Sequence, residues 1–453
     1  METKSFSFTH LSPILQFVRR SSFGAILLFF SAFLALILAN TPAHGPIQEF
    51  LGKIIGFSVG NFQVYKSVLL WINDGLMSIF FFVVGLELKR ELIAGELSKP
   101  QNVIMPMVGA IGGMVLPAAI YLLINWSTGP QSLNGWGIPM ATDIAFALGV
   151  LYLLGPKVPV QLKVFLTALA IIDDIGAVSV VALFYTSEIS FSNLIIGGSI
   201  LSVMFLLNKL GVRQVFIYAI LGIGGVWLAF LLSGVHATIA AVLAAFAIPV
   251  NRSIDKENYL SSIESLTKNF KTAKRAEKEQ YLLSTDEQNI IGEIHRLSIG
   301  AMSPLQRLEN SMHGLVLYLV MPIFALANAG IVIDNRWLDM LTSPVALGVF
   351  LGLFLGKILG IFGLCFIGLK LNWFKMPEFL TMKMILGVSF LAAIGFTMSL
   401  FINSLAFEVE LYTEQAKMGI LLASLFSGII GYLILKKEIH SNTRVKIHKL
   451  YAS

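Results

Sequence analysis

Long stretches of this chain carry no charged side chain at all. Residues 100 to 142, 189 to 208, 214 to 251, 310 to 333, 384 to 407 and 418 to 435 contain no Asp, Glu, Lys or Arg, and the stretch after Arg20 is uncharged as far as Gln48. A bilayer core about 30 Å thick asks for about 20 mostly apolar helical residues, so these runs are long enough to cross it, and the longest leave room for a second helix. Three further apolar segments are interrupted by isolated charges: 67 to 86 by Asp74, 164 to 185 by Asp173 and Asp174, and 340 to 369 by Lys357. A 453-residue chain that is 56% hydrophobic and 13% charged has too little polar surface to clothe soluble domains. The 32 Lys and Arg behind its formal charge of +6 flank the apolar runs, as membrane anchors do, so no nucleic-acid partner is expected. A single cysteine, Cys365, excludes an intramolecular disulfide and any CxxC metal or redox site.

Splitting the long runs at their turn signals, Ser127 to Gly137 and Ser233-Gly234, predicts an all-α polytopic membrane protein with about twelve transmembrane helices. They fall near 22–40, 67–88, 102–124, 138–154, 162–185, 191–208, 214–232, 235–250, 312–333, 343–369, 384–406 and 416–435. With the N-terminus on the cytoplasmic side, 27 of the 32 basic residues lie in cytoplasmic segments, Lys357 lies within the membrane, and only Lys53, Lys66, Arg336 and Lys417 lie outside. Both termini are therefore expected in the cytoplasm. The expected organisation is a cytoplasmic N-terminus (1–20), helices one to eight (21–250), a charged cytoplasmic loop (251–310), helices nine to twelve (311–436) and a cytoplasmic tail (437–453). Arg19, Arg20 and the apolar run behind them could imitate a signal peptide; the length of that run and the eleven helices after it favour a retained first helix. The segment from Asn251 to Glu309 balances nine basic against nine acidic residues and reads as charged helix or linker rather than a separate core.

Ionisable residues inside hydrocarbon are costly and usually serve a pathway or a proton relay. Asp143, Asp173, Asp174 and Lys357 qualify. Pairing for helix packing alone would not leave three carboxylates against one ammonium, so the surplus negative charge calls for a cation. Asp173 and Asp174 are neighbours whose side chains diverge by about 100° on a helix, so one can hold an ion while the other holds Lys357. Two acids this close in a low dielectric resist ionising together, which makes one of them a proton carrier. Asp143 follows Gly137 and Pro139 in the fourth helix, while Gly395, Thr397 and Ser399 interrupt the eleventh. Interrupted helices in corresponding places point to inverted-topology repeats with two discontinuous helices at their centre. In the tenth helix, Gly348, Gly352, Gly356 and Gly360 form a smooth ridge beside Lys357 that permits close helix approach.

A second set of charges lies at one end: Glu87, Lys89, Arg90 and Glu91 after the second helix, and Arg307, Glu309 and His313 before the ninth. These read either as interfacial anchors or as a gate or pH sensor. His236, on the opposite side, reads as a capping or packing residue or as a proton-transfer group.

The motifs Ala141-Thr-Asp143-Ile-Ala-Phe-Ala-Leu-Gly, Ala170-Ile-Ile-Asp-Asp174-Ile-Gly, Ile72-Asn-Asp-Gly-Leu-Met77, Val84-Gly-Leu-Glu87-Leu-Lys-Arg-Glu91, Gly356-Lys357 and Ala392-Ala-Ile-Gly-Phe-Thr-Met398 together resemble the NhaA type of Na+/H+ antiporter from about residue 20 to 435. The resemblance implies an electrogenic secondary transporter of a bacterial inner membrane that extrudes cytoplasmic Na+ or Li+ in exchange for protons and serves sodium and pH homeostasis. It implies Asp174 as principal ion ligand, Asp173 as partner of Lys357, and Asp143 with Thr142 in support. It also implies that Glu87, Arg90, Glu91, Arg307, Glu309 and His313 form a pH-responsive mouth. Its partners would be Na+, Li+, protons and the lipid bilayer, with a homodimer left open and no cofactor. The sequence departs from the family pattern in a longer loop from Asn251 to about Gly300 and in Gln306, where a basic residue would be expected. Two other functions compete. A Na+-coupled symporter of an organic anion would want more polar side chains around a larger cavity. An intramembrane aspartyl protease would want a Gly-x-Gly-Asp motif, which is absent from the sequence.

Overall fold

The computed structural model describes residues 21–59, 62–98, 100–185, 189–273, 282–333, 335, 337–377 and 380–451. The expected N-terminal segment 1–20 and the last two residues of the expected tail lie outside the described residues. Among the described residues, nine helices are long and apolar enough to cross a membrane, two bent helix pairs pass the same test, and one short apolar helix, Ala237–Ala247, completes the set. Every one of the twelve predicted segments coincides with one of these. The protein is a multi-pass helical membrane protein.

In chain order the elements used below are α1 (Ser21–Ala39), α2 (His44–Gly52), β1 (Ile54–Val59), β2 (Phe62–Ser67), α3 (Val68–Ala94), α4 (Pro100–Asn125), α5 (Ile144–Tyr152), α6 (Val160–Phe184), α7 (Phe191–Lys209) and α8 (Val215–Ser233). They continue with α9 (Ala237–Ala247), α10 (Lys256–Thr272), α11 (Thr285–Ala301), α12 (Pro304–Asn328), α13 (Pro344–Lys370), α14 (Met382–Ala392), α15 (Phe396–Ala406) and α16 (Glu410–Tyr451). Local sequence sets many of the ends. Ser303-Pro304 and Ser343-Pro344 start α12 and α13 alike: each serine side chain accepts an amide of the first turn, from Gln306 at 3.2 Å and Ala346 at 3.3 Å, and each proline occupies a position whose amide has no helical acceptor. Gly234 ends α8 with φ +82°, a left-handed conformation that glycine adopts without steric penalty.

Two segments differ from the sequence expectation, and a third settles an alternative it left open. The connection between the first two spans contains an antiparallel hairpin, β1 to β2, in register from Ile54 opposite Ser67 to Val59 opposite Phe62. Of the charged helix or linker expected after Asn251, the described residues form helix, α10 and α11; Ser284 and Glu287 close the start of α11 with a reciprocal capping box. The second span continues to Ala94, so Glu87, Lys89, Arg90 and Glu91 ride on its last turns instead of following it.

The centre of the bundle is set by how α13 meets α4. All four ridge glycines face α4: a Cβ on Gly356 would come within 2.7 Å of Pro117 Cα, and one on Gly360 would collide with the Gly112 carbonyl. Backbone thus packs on backbone, and any larger side chain would push the helices apart. A π-helical turn, Gly352–Gly356, immediately precedes Lys357. Such turns are frequent at functional sites.

Candidate ion site

The fourth span is broken. Asn134–Met140 is a 3-10 turn, Ala141 to Asp143 is extended, and α5 begins at Ile144. The eleventh span is broken between α14 and α15, which are bent by 44°. The two breaks cross. The Asp143 amide donates to the Ile394 carbonyl at 2.7 Å, the Thr142 hydroxyl to the Ala392 carbonyl at 2.7 Å, and the Ser399 hydroxyl to the Ile138 carbonyl at 2.9 Å. Backbone groups freed by each interruption are satisfied by the other, as irregular chain buried at membrane depth requires.

Asp143 caps two helices at once. Its Oδ1 accepts the Phe146 amide of α5 at 2.9 Å, and its Oδ2 accepts the Thr397 amide at 3.1 Å and the Thr397 hydroxyl at 2.5 Å, at the start of α15. Each helix N-terminus carries roughly half a positive charge, so two of them offset about one carboxylate. Asp173, on α6, is paired with Lys357 of α13, and the same ammonium donates to the Thr142 hydroxyl at 2.8 Å. Because the Thr142 proton is committed to Ala392, its oxygen receives the lysine proton. Asp143, Asp173, Asp174 and Lys357 are all at most 1% exposed.

That leaves Asp174. Both of its oxygens, and Oδ1 of Asp173, are buried with no hydrogen-bond partner among the described residues. Buried carboxylate oxygens are almost always satisfied, so three orphans side by side identify a place where something charged or protic belongs. Asp143 is balanced by helix ends and Asp173 by lysine. Asp174 has no protein counter-charge of its own and requires a cation or a proton. Among the described residues no group of three or more His, Cys, Asp and Glu is disposed to hold a metal ion.

At one end of the bundle the second set of charges also assembles. Arg90 pairs with Glu309 of α12 and with Glu91 at 2.8 Å, while His313 Nδ1 lies 3.6 Å from Glu87. Arg307 does not join them: its buried Nε has no hydrogen-bond partner among the described residues. Lys89 points elsewhere and donates to the Phe246 and Ile248 carbonyls at 2.6 and 2.5 Å, closing the C-terminal end of α9. On the opposite side, His236 Nε2 lies 2.7 Å from the Tyr185 carbonyl. A carbonyl only accepts, so Nε2 carries a proton and donates to it. The Tyr185 hydroxyl in turn donates to the Asn134 carbonyl at 2.5 Å. His236 therefore stands in a packing position between α6 and α9.

The sequence named Thr397 and Ser399 only as interruptions; their bonds to Asp143 and Ile138 make them parts of the crossing. A Ser or Thr just after a glycine break is the signal that could have found them. The buried pair Asn328 to Asn73, 2.9 Å, had no such local mark.

This geometry can be set beside known proteins. The sequence matches the family described as Na+/H+ antiporter 1 over residues 15–435. The chain belongs to that family. Among relatives similar to it, the Na(+)/H(+) antiporter NhaA of Oleidesulfovibrio alaskensis is 45% identical over 426 residues, 94% of each chain. The Na(+)/H(+) antiporter NhaA 1 of Saccharophagus degradans is 42% identical over 431 residues, 94% of this chain and 92% of that protein. The Na(+)/H(+) antiporter NhaA of Wolinella succinogenes is 44% identical over 422 residues, 93% of this chain and 92% of that protein. In this member of the antiporter family, the motifs around Asp143, Asp173–Asp174, Lys357 and Thr397 meet at the crossing, while the Val84–Glu91 motif supplies the charges at the end of the bundle.

Proposed function

We propose that the chain is a secondary active Na+/H+ antiporter, with Li+ as an alternative cargo, which moves sodium out of a bacterial cytoplasm across the inner membrane in exchange for protons. The observation that carries this reading is the pair of unpartnered, fully buried Asp174 oxygens beside the Asp173–Lys357 pair. An ion that occupies Asp174 must displace whatever proton is there, so ion and proton compete for one set of carboxylates. Asp143 and Thr142 support the site from the broken fourth span, with Asp143 contributing charge to the cation's surroundings. More than one proton per ion would make each cycle move net charge. The family membership and the names of the relatives support the choice of cargo.

In this reading both termini and the 251–310 segment lie in the cytoplasm, as the bias of Lys and Arg toward that side supports. Glu87, Arg90, Glu91, Glu309 and His313, with Arg307 beside them, form the cytoplasmic mouth whose protonation adjusts access. A homodimer in the lipid bilayer is the assembly we favour; the open edges of the β1–β2 hairpin, with Ile54, Ile55 and Tyr65 exposed, support it. The test is a vesicle assay with the pure protein: added Na+, and not K+, should dissipate an imposed pH gradient. A gradient that decays equally with either salt, or with neither, would overturn the proposal.

A further inference from the structure

An apolar groove of about 700 Å3 runs between α1, α5 and α16. Its floor is aromatic: Phe146 and Phe396 meet edge to face with ring centroids 5.6 Å apart, and Phe29 leans on Phe146 at 6.4 Å. The rim residues Phe33, Ile429 and Leu433 are each more than half exposed, so the groove opens sideways out of the bundle, where lipid lies. The side chain of Gly428 is missing from the wall, and a Cβ there would meet only Ile394 Cδ1, at 3.6 Å. That leaves width for an extended hydrocarbon chain.

The two ends of the groove differ. At the end marked by Leu153 and Tyr432, two ammonium groups each lie over a tyrosine ring: Lys436 is 5.6 Å from the Tyr432 centroid, and Lys163 is 5.2 Å from that of Tyr152. Lys436 follows Tyr432 by one helical turn, and Tyr152 immediately precedes the lining residue Leu153. Neither lysine has a carboxylate within ion-pair distance among the described residues. An apolar slot facing lipid, with unneutralised cations and aromatic rings at one mouth, matches the two halves of an anionic phospholipid.

We propose that this groove binds an anionic phospholipid, its acyl chain lying on Phe146 and Phe396 and its phosphate between Lys163 and Lys436. The leaflet is the cytoplasmic one under the orientation proposed above; the binding itself does not depend on that orientation. The site matters because its floor is the back of the ion site: the Phe146 amide is held by Asp143, the Phe396 amide donates to Ser424 Oγ at 3.2 Å, and Thr397 follows at once. An occupied groove would support the crossing from its lipid side.

The test uses the full chain, reconstituted in nanodiscs of phosphatidylcholine with phosphatidylglycerol and then released for native mass spectrometry. Wild-type protein should retain a phosphatidylglycerol in preference to phosphatidylcholine. Gly428→Phe, which fills the slot, should lose that bound lipid. Lys436→Gln and Lys163→Gln, which leave the slot intact, should each weaken retention by about fivefold, the effect of removing one lysine beside an anionic lipid. Equal retention of the two lipids by wild-type protein, or wild-type retention in the lysine variants, would overturn the proposal. So would a change of oligomeric mass in Gly428→Phe with lipid retention intact, because a second copy of the chain would then be the occupant.

Discussion

At the crossing, Asp143, Asp173, Asp174 and Lys357 are almost wholly shielded from solvent, whereas at the mouth the Arg90 side chain is 40% and the His313 side chain 61% exposed. Both regions bring acids and bases from distant parts of the sequence together. They differ in what a missing partner costs. At the crossing, Asp143 is balanced by two helix ends and Asp173 by Lys357, and Asp174 is the position left over. At the mouth, Glu87, Glu91 and Glu309 share Arg90 and His313, and water screens whatever the geometry leaves undone. The first arrangement suits an ion that must be bound and released in full; the second suits a graded adjustment. The substitutions that follow try to break that division.

The largest effect is expected at Asp174. Asp174→Asn keeps the shape of the side chain and removes its charge, so Na+ and Li+ exchange in vesicles should vanish while the amount of folded protein in the membrane stays as in wild type. Exchange at the wild-type rate would remove Asp174 from the ion site. Next is Lys357→Met, which leaves Asp173 buried and unpaired. Breaking a buried pair from one side costs about 3–5 kcal/mol, so denaturation in detergent should show a loss of that order, and adding Asp173→Asn should restore most of it. Thr397→Val should cost less, about 1.5–3 kcal/mol for one buried hydrogen bond to a carboxylate, read as a lower melting temperature. The smallest effect belongs to the mouth. Arg90→Gln removes partly exposed pairs worth about 1 kcal/mol or less. It should therefore move the midpoint of the pH–activity curve by less than about one unit and leave the maximal rate intact. A collapse of the maximal rate would show that the mouth shares the work of the centre.

How far the sequence went follows the same division between local and distant information. The spans were legible because a charge-free run is a local property, and so were both broken segments, from Gly137, Pro139 and Gly395. The four intramembrane ionisable residues stood out by their cost in hydrocarbon, and all four meet. That Asp143 would cap α5 and α15 together could not be read, because its partners Phe146 and Thr397 lie in different spans and only their packing brings them together. The hairpin β1–β2 was missed, and the 251–310 segment was left between helix and linker, for a different reason: outside hydrocarbon, a span-length rule has nothing to measure. Arg307 had the right charge in the right neighbourhood, yet its side chain joins no ion pair among the described residues.

The central claim is that sodium and protons contend for the carboxylates around Asp174. The half-saturating Na+ concentration of the reconstituted protein, measured from acid to alkaline pH with a potential-sensitive dye alongside, tests it most directly. If ion and proton share the site, each unit of acidification should raise that concentration about tenfold for every proton displaced, until the carboxylates are deprotonated and the value levels off. The dye should report charge movement with each cycle. A half-saturating concentration that does not change with pH would contradict the shared site.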